Sequence, residues 1–248
     1  MVKFQIMSDI HIETMPDDVN IKDFIKPVAD ILILAGDIGR IHRLKQFERF
    51  MFDLCQEFKI VLYILGNHEY YKVDGIEEKS MSDILIDLEK ISQKIPNLRV
   101  LNRKSIIIED VCITGCTLWS QAVFVPNYIV KIPNMNKYLY NDFFKKDLAH
   151  IEGMIKYCQN KNLKHLVVTH HSPSSRVIPF RKQSRFQSLY YSNLDYLLES
   201  NKVHTWVCGH VHNNFDFVTS KGTRLVSNQR GKAKDKITDF LFDKVIDI

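Results

Sequence analysis

Five short segments of this 248-residue chain carry side chains able to bind a cation: Asp9-x-His11, Gly36-Asp37, Gly66-Asn67-His68-Glu69, Thr169-His170-His171 and Gly209-His210-x-His212. Carboxylate, imidazole and amide oxygen together suit divalent transition ions such as Mn, Fe or Zn. The i, i+2 spacing of Asp9/His11 and His210/His212 would project each pair to one side of an extended backbone. The glycines ahead of Asp37, Asn67 and His210 permit the unusual backbone that brings a ligand close to a metal. Seven candidate ligands (Asp9, His11, Asp37, Asn67, His170, His210 and His212) are too many for one tetrahedral ion. They suit two ions sharing a bridging carboxylate, the arrangement used for in-line phosphoryl displacement.

The elements that must position these groups read as short apolar runs alternating with amphipathic segments, an α/β pattern. Strands are expected at Val2–Met7, Asp30–Ala35, Ile60–Leu65, Leu98–Leu101, Ser105–Glu109, Val111–Gly115, Leu163–Thr169, His204–Cys208, Asn214–Thr219 and Thr223–Ser227. A last strand is expected within Thr238–Ile248. Apolar stripes at helical spacing run from Ile41 to Phe58, across Glu77–Lys94 and from Phe143 to Cys158, and Asn193–Ser200 reads as a shorter helix. Each cation-binding segment follows one of the strands. In open α/β sheets ligands gather beyond the carboxyl ends of strands, so the five tips should converge. Two long irregular stretches, Leu118–Tyr140 and Ser172–Ser188, interrupt the pattern, and loops of that length are often functional. Neither has linker composition, so residues 1–248 read as a single domain.

Composition excludes other classes. At 45% hydrophobic residues and a net charge of +5, the chain is too apolar and too weakly charged for disorder. Its longest apolar runs fall far short of the roughly 20 residues a bilayer needs. The N-terminal Met-Val-Lys-Phe-Gln-Ile-Met-Ser lacks the pattern of a secretory signal. Five cysteines (Cys55, Cys112, Cys116, Cys158, Cys208) form no CxxC pair and sit among apolar neighbours. They read as reduced core thiols, which makes the cytoplasm the expected location. Charge is uneven: Lys161 to Lys236 holds 13 basic and 4 acidic residues, which suggests an anionic partner, phosphate or nucleic acid.

The five segments occur in the order and rough spacing of the calcineurin-like metallophosphoesterases, and the sequence resembles that family over residues 9 to 212. The resemblance implies a four-layer α-β-β-α sandwich with two mixed sheets and a dinuclear metal site at the strand C-terminal ends. It implies Asp9, His11 and His212 on one metal, Asn67, His170 and His210 on the other, and Asp37 bridging both. His68 would face the substrate, stabilising the transition state or protonating the leaving oxygen. The implied reaction is phosphoester hydrolysis by in-line attack of a metal-bridging hydroxide. Manganese is the favoured ion, with iron or zinc as alternatives.

Glu69 is expected to orient a neighbour rather than to catalyse, and the His171 side chain to point away from the ligands. Tyr70 and Tyr71 could shape the pocket rim. The protein Ser/Thr phosphatase branch continues Val-Asp-Arg-Gly, where this chain has Asp37-Ile38-Gly39-Arg40, which argues against a protein substrate. The stretch Asn228-Gln229-Arg230-Gly231-Lys232 resembles an Asn-Pro-Arg-Gly-Tyr ending of some small members. The first reading is therefore a phosphatase or phosphodiesterase of small molecules or nucleotides. The alternative is a nuclease or nucleotide-processing phosphodiesterase, motivated by Arg176, Arg181, Lys182 and Arg185 after His170. A non-catalytic metal-binding scaffold comes third, because a scaffold need not retain every ligand and His68.

Overall fold

The computed structural model describes residues 1–179 and 184–248. Eleven strands form two sheets. The first contains β1 (Lys3–Met7), β2 (Ile31–Ala35), β3 (Ile60–Ile64), β4 (Leu98–Val100) and β11 (Val245–Asp247), in the order β11-β1-β2-β3-β4. The second contains β5 (Lys104–Ile108), β6 (Val111–Cys116), β7 (Lys164–Thr169), β8 (Thr205–Val207), β9 (Asp216–Val218) and β10 (Arg224–Val226), in the order β5-β6-β7-β8-β10-β9. Each sheet has a parallel centre; the first has one antiparallel edge, β11 on β1, with β4 parallel to β3 at the other, and the second has two, β5 on β6 and β9 on β10. Both sheets are therefore mixed, as expected.

Strand alternation explains the layers. Phe4, Ile6, Ile31, Ile33, Leu62 and Ile64 of the first sheet face Val111, Ile113, Leu166, Val168, Val207 and Val226 of the second across a closed apolar core. The opposite faces, with Met7, Leu32, Leu34, Val61 and Tyr63 on one side and Val167, Trp206 and Leu225 on the other, pack into the outer clusters with the helices. The helices are α1 (Leu44–Cys55), α2 (Met81–Lys94), α3 (Lys137–Lys161) and α4 (Asp195–Leu198). Ser80 and Asp83 close a capping box at the start of α2.

The expected α1 stripe overran the helix, since Ile41 and Phe58 are buried but lie outside it. The third helix begins six residues before the expected Phe143. Its cap is Asn136, whose side chain accepts from the amides of Tyr138 and Leu139, and Tyr140 of its first turn is buried on the same face as Phe144 and Ile151. The irregular stretch from Leu118 therefore ends at Asn136 rather than Tyr140. All five cysteines are free and buried. Among the described residues no helix is long and apolar enough to cross a membrane.

One buried histidine gives the fold a measurable acid sensitivity. His165 on β7 is 1% exposed, with Nε2 2.8 Å from Thr114 Oγ1. Burial, helped by nearby His150, pushes its imidazole from 6.5 down to about 4. As pH falls, the unfolded chain takes up this proton first. The stabilisation is therefore full above pH 6.5 and lost towards pH 4, by about 3 kcal/mol. His165→Gln keeps a polar end for Thr114 without titrating. In urea unfolding of metal-free protein at pH 7, 5.5 and 4, it should lose about 3 kcal/mol less than wild type across that range.

Candidate active site

The parallel strands of both sheets end on one side of the molecule, and the segments that follow them are laced together by their backbones. Asp9 N donates to Gly36 O, His11 N to Asp37 O, and Ile12 N to Ile38 O, which joins the turns after β1 and β2. Gly209 N donates to His170 O across β7 and β8, and Thr117 Oγ1 donates to Leu65 O, which ties one sheet to the other. Asp9, His11, Asp37, His210 and His212 all have left-handed backbones, with φ of 55°, 56°, 54°, 71° and 48°. Each such residue costs about 1 kcal/mol and persists where the surroundings over-determine it. This corrects the expectation of extended i, i+2 pairs: the side chains share a side because the chain turns at each of them. The glycine expectation also changes. Gly36 has a positive φ of 84°, whereas Gly66 and Gly209 supply room. A Cβ at Gly66 would overlap Asp37 Oδ1, and one at Gly209 would lie 2.5 Å from Asp9 Oδ2.

Hydrogen bonds on the far side of each ring fix what the imidazoles present to the centre. His11 Nδ1 lies 3.0 Å from Glu13 Oε1, His212 Nδ1 2.6 Å from Asp235 Oδ2, His170 Nδ1 2.9 Å from Ala35 O, and His210 Nε2 3.1 Å from Leu189 O. A carbonyl or carboxylate oxygen only accepts, so these nitrogens carry protons, and in each neutral ring the other nitrogen offers its lone pair to the centre. Those lone pairs converge. His11 Nε2 is 3.2 Å from His212 Nε2, and His210 Nδ1 is 3.2 Å from His170 Nε2. Asp9 Oδ1 lies 3.2 Å from His212 Nε2, while Asp37 Oδ1 and Asn67 Oδ1 lie 3.2 and 3.1 Å from His170 Nε2. Lone pairs facing one another at such distances repel unless positive charge stands between them, so this donor set fits divalent cations. Asp9/His11/His212, His11/Asp37/His68 and Asp37/His170/His210 each gather their donor atoms within 4.8 Å of one another. Asp37 belongs to two of the groups, in the shared position.

The field of the site points the same way. Burial would raise the carboxyls of Asp9 and Asp37, but neighbouring histidines hold both below the usual carboxylate range. Burial works against a charged His170, yet Asp37 raises its imidazole to about 9, so positive charge is favoured where its Nε2 points. His68 is different. Burial takes its imidazole down to about 4, its Nδ1 lies 2.9 Å from Glu13 Oε1, and its Nε2 lies 3.2 Å from Lys232 Nζ. Glu69 is fully buried and accepts from the amides of Gly66, Asp37 and Ile38 and from the Tyr63 hydroxyl. It binds the turns after β2 and β3 to each other, the orienting part expected of it. Burial, with Asp37 nearby, pushes its carboxyl up to about 8.

All seven candidate ligands and His68 thus come together around a cleft of about 430 Å³. His171 lines that cleft beside His210, at 4.1 Å between ring centroids, and burial takes its imidazole down to about 3. Tyr71 stacks on His68 at 4.5 Å, whereas Tyr70 packs against Trp119 away from the cleft. Ile129, Val130 and Lys131 bring the first long loop to the cleft wall, and Leu189 and Tyr190 follow directly on the second. Of the basic residues expected after His170, Arg176 is held between Asp195 and Glu199 at 2.8 Å each, and Arg181 and Lys182 lie outside the described residues. Arg230 of the tail motif is turned away, its guanidinium 4.9 Å over Phe24. The sequence reading missed Glu13, Asp235 and Lys232. Glu13, two residues past His11, had a usable signal in its spacing; Asp235 and Lys232 had none.

Gly66 offers a direct test of the packing argument. Gly66→Ala should fold with an unchanged circular dichroism spectrum. After loading with Mn²⁺ and gel filtration it should retain less than half the metal of wild type, because the added methyl displaces Asp37 Oδ1. Full metal content would show that Asp37 can move without loss of the site.

A family model described as calcineurin-like phosphoesterase matches residues 2–214. An uncharacterized protein of Acanthamoeba polyphaga mimivirus is 25% identical over 260 residues, which cover 93% of this chain and 91% of that protein. Among solved structures, phosphopantetheinyl hydrolase from Mycobacterium tuberculosis superposes with a TM-score of 0.69 at 13% identity, covering 94% of this chain and 90% of that one. A dimetal phosphatase from Danio rerio gives a TM-score of 0.55 at 14% identity, with 91% and 86% covered. At such identities the structural likeness speaks for the fold, and the family match covers most of the chain. The chain belongs to the calcineurin-like phosphoesterase family of metal-dependent phosphoric ester hydrolases.

Proposed function

We propose that this protein hydrolyses phosphate mono- or diesters of small molecules or nucleotides, with two divalent cations, Mn²⁺ by preference, held in the cluster. Asp9, His11 and His212 hold one, Asn67, His170 and His210 the other, and Asp37 is shared. The observation that carries this reading is the convergence of lone pairs from four imidazoles whose opposite nitrogens are tied to acceptors. Bound there, the cations supply Lewis acidity, which acidifies water and neutralises charge on phosphoryl oxygens. The chain's own part is positional. Glu13 clamps His68 at Nδ1 and so holds the ring at the cleft, where Nε2 would face the leaving oxygen. Lys232 Nζ adds positive charge at the same point. We take residues 1–248 as one domain, because β11 near the C-terminus completes the sheet that begins with β1.

Removing His68 should separate chemistry from binding. His68→Ala should lower Mn²⁺-dependent turnover of p-nitrophenyl phosphate or bis(p-nitrophenyl) phosphate by about 10²- to 10⁴-fold with metal content unchanged. Asp37→Asn should instead lower the occupancy of both ions, since the shared carboxylate loses its charge. Unchanged turnover in the first variant, or full occupancy in the second, would overturn these assignments.

One observation favours the nucleic-acid alternative. Phe186 packs against Phe124 and Tyr128, at 6.4 and 6.2 Å between centroids, and Arg185 lies 4.7 Å over its ring. Phe124 and Tyr128 are exposed, so a base could stack there. If so, the affinity for an oligothymidine, read by fluorescence anisotropy, should weaken about tenfold between 50 and 200 mM salt. Affinity indifferent to salt would remove this alternative.

A further inference from the structure

The cleft has two unlike walls. Among the described residues, the side chains beside His210 include the Tyr190 ring at 5.3 Å, the His171 ring at 4.1 Å, and Leu189, whose carbonyl receives His210 Nε2–H. Four cationic side chains, Arg40, Lys131, Lys232 and Lys234, line the cleft with His68. Lys232 Nζ is 3.2 Å from His68 Nε2. Lys72 follows Tyr71, which stacks on His68, and its backbone joins the other two: its amide donates to Lys131 O, and its carbonyl accepts from Arg40 NH1. Three separate segments thus deliver positive charge to one wall.

These charges are not used up within the protein. Among the described residues none of the four takes part in an ion pair. The carboxylates that line the cleft, Asp37 and Asp235, are engaged by histidines. Two divalent ions and the four cationic side chains together carry more positive charge than Asp9, Glu13, Asp37, Asp235 and one phosphoryl dianion offset, so the cleft has room for a further negative charge. Lys232 feels Asp37, Glu13 and Asp235, but its own burial and Lys234 beside it work against its charge, and an anionic ligand relieves that repulsion.

We propose that this wall selects phosphoesters whose leaving group carries a second oxyanion, a phosphate or a carboxylate. The inference rests on the hydrolytic reading above, in which His68 faces the leaving oxygen; the cationic wall is then the leaving-group side of the cleft. The reaction remains a hydrolysis: the oxygen of water joins phosphorus, the bond from phosphorus to the leaving oxygen breaks, and that oxygen takes up a proton. Lys131 and Lys234 are specificity residues in this arrangement, reaching the distal oxyanion rather than the phosphorus.

The test uses phenyl phosphate, 4-carboxyphenyl phosphate and 1,4-phenylene bisphosphate, each monoester also as its methyl diester, with Mn²⁺-loaded protein at low salt. The expected result is a kcat/KM at least about tenfold higher for the esters with the added anion, the size of one charge-assisted contact. A larger gain for the bisphosphate than for the carboxylate assigns the site to phosphate, and the reverse assigns it to carboxylate. In the Lys131→Met/Lys234→Met double variant the preference should shrink to about threefold or less. Turnover without preference, or a preference that survives both substitutions, would overturn the inference and leave the hydrolytic reading standing. Silence on every ester would remove the hydrolytic reading and this inference together.

Discussion

The interaction on which the rest of the structure depends is the burial of three carboxylates, Asp9, Glu13 and Asp37, among five imidazoles at the meeting point of two sheets. An unpaired carboxylate at such a place would neutralise itself rather than stay charged. Here each is held charged by histidine neighbours, and those histidines are held in one tautomer by acceptors behind them. The cluster is therefore satisfied as a whole or hardly at all. Five residues with left-handed backbones maintain it at roughly 1 kcal/mol each, a cost the two apolar layers must offset.

The sandwich meets that demand by its geometry. Parallel strands in each sheet bring their carboxyl ends to one side, and the closed apolar core between Phe4, Ile33 and Leu62 on one sheet and Ile113, Val168 and Val207 on the other fixes the distance between those ends. Turns anchored on such a base, and bonded to one another, hold their donor atoms in place. The room for this is narrow. Gly66 and Gly209 sit where any side chain would strike a carboxylate of the cluster.

Glu13 joins two parts of the chemistry. One oxygen, Oε1, accepts from both His11 and His68, so the group proposed to hold a cation and the group proposed to face the substrate are oriented by the same atom. Around them, among the described residues, the cleft is uneven, with Lys232 on His68 and the rings of Tyr190 and His171 beside His210. That unevenness gives a bound phosphoester a direction as well as a place.

The sequence by itself determined the α/β class, the strand-by-strand order of the five segments and the identity of the residues that converge. Each of those follows from local pattern: apolar alternation makes the strands, and polar residues just beyond them fall in the turns. The overrun of the α1 stripe and the late start assigned to α3 mark the limit of that logic, because Ile41 and Phe58 are buried by their neighbours rather than by a helix, and Tyr140, assigned to the loop, already belongs to the buried face of α3. The tertiary structure decided the rest. Left-handed turns replaced extended pairs because the loops after β1 and β2 bond to each other. Glu13, Asp235 and Lys232 gained their places beside His68 and His212 because chain folding brings together residues up to 164 positions apart, such as His68 and Lys232. Periodicity records which side of an element faces the core, but a contact made across such a separation leaves no local trace in composition or spacing.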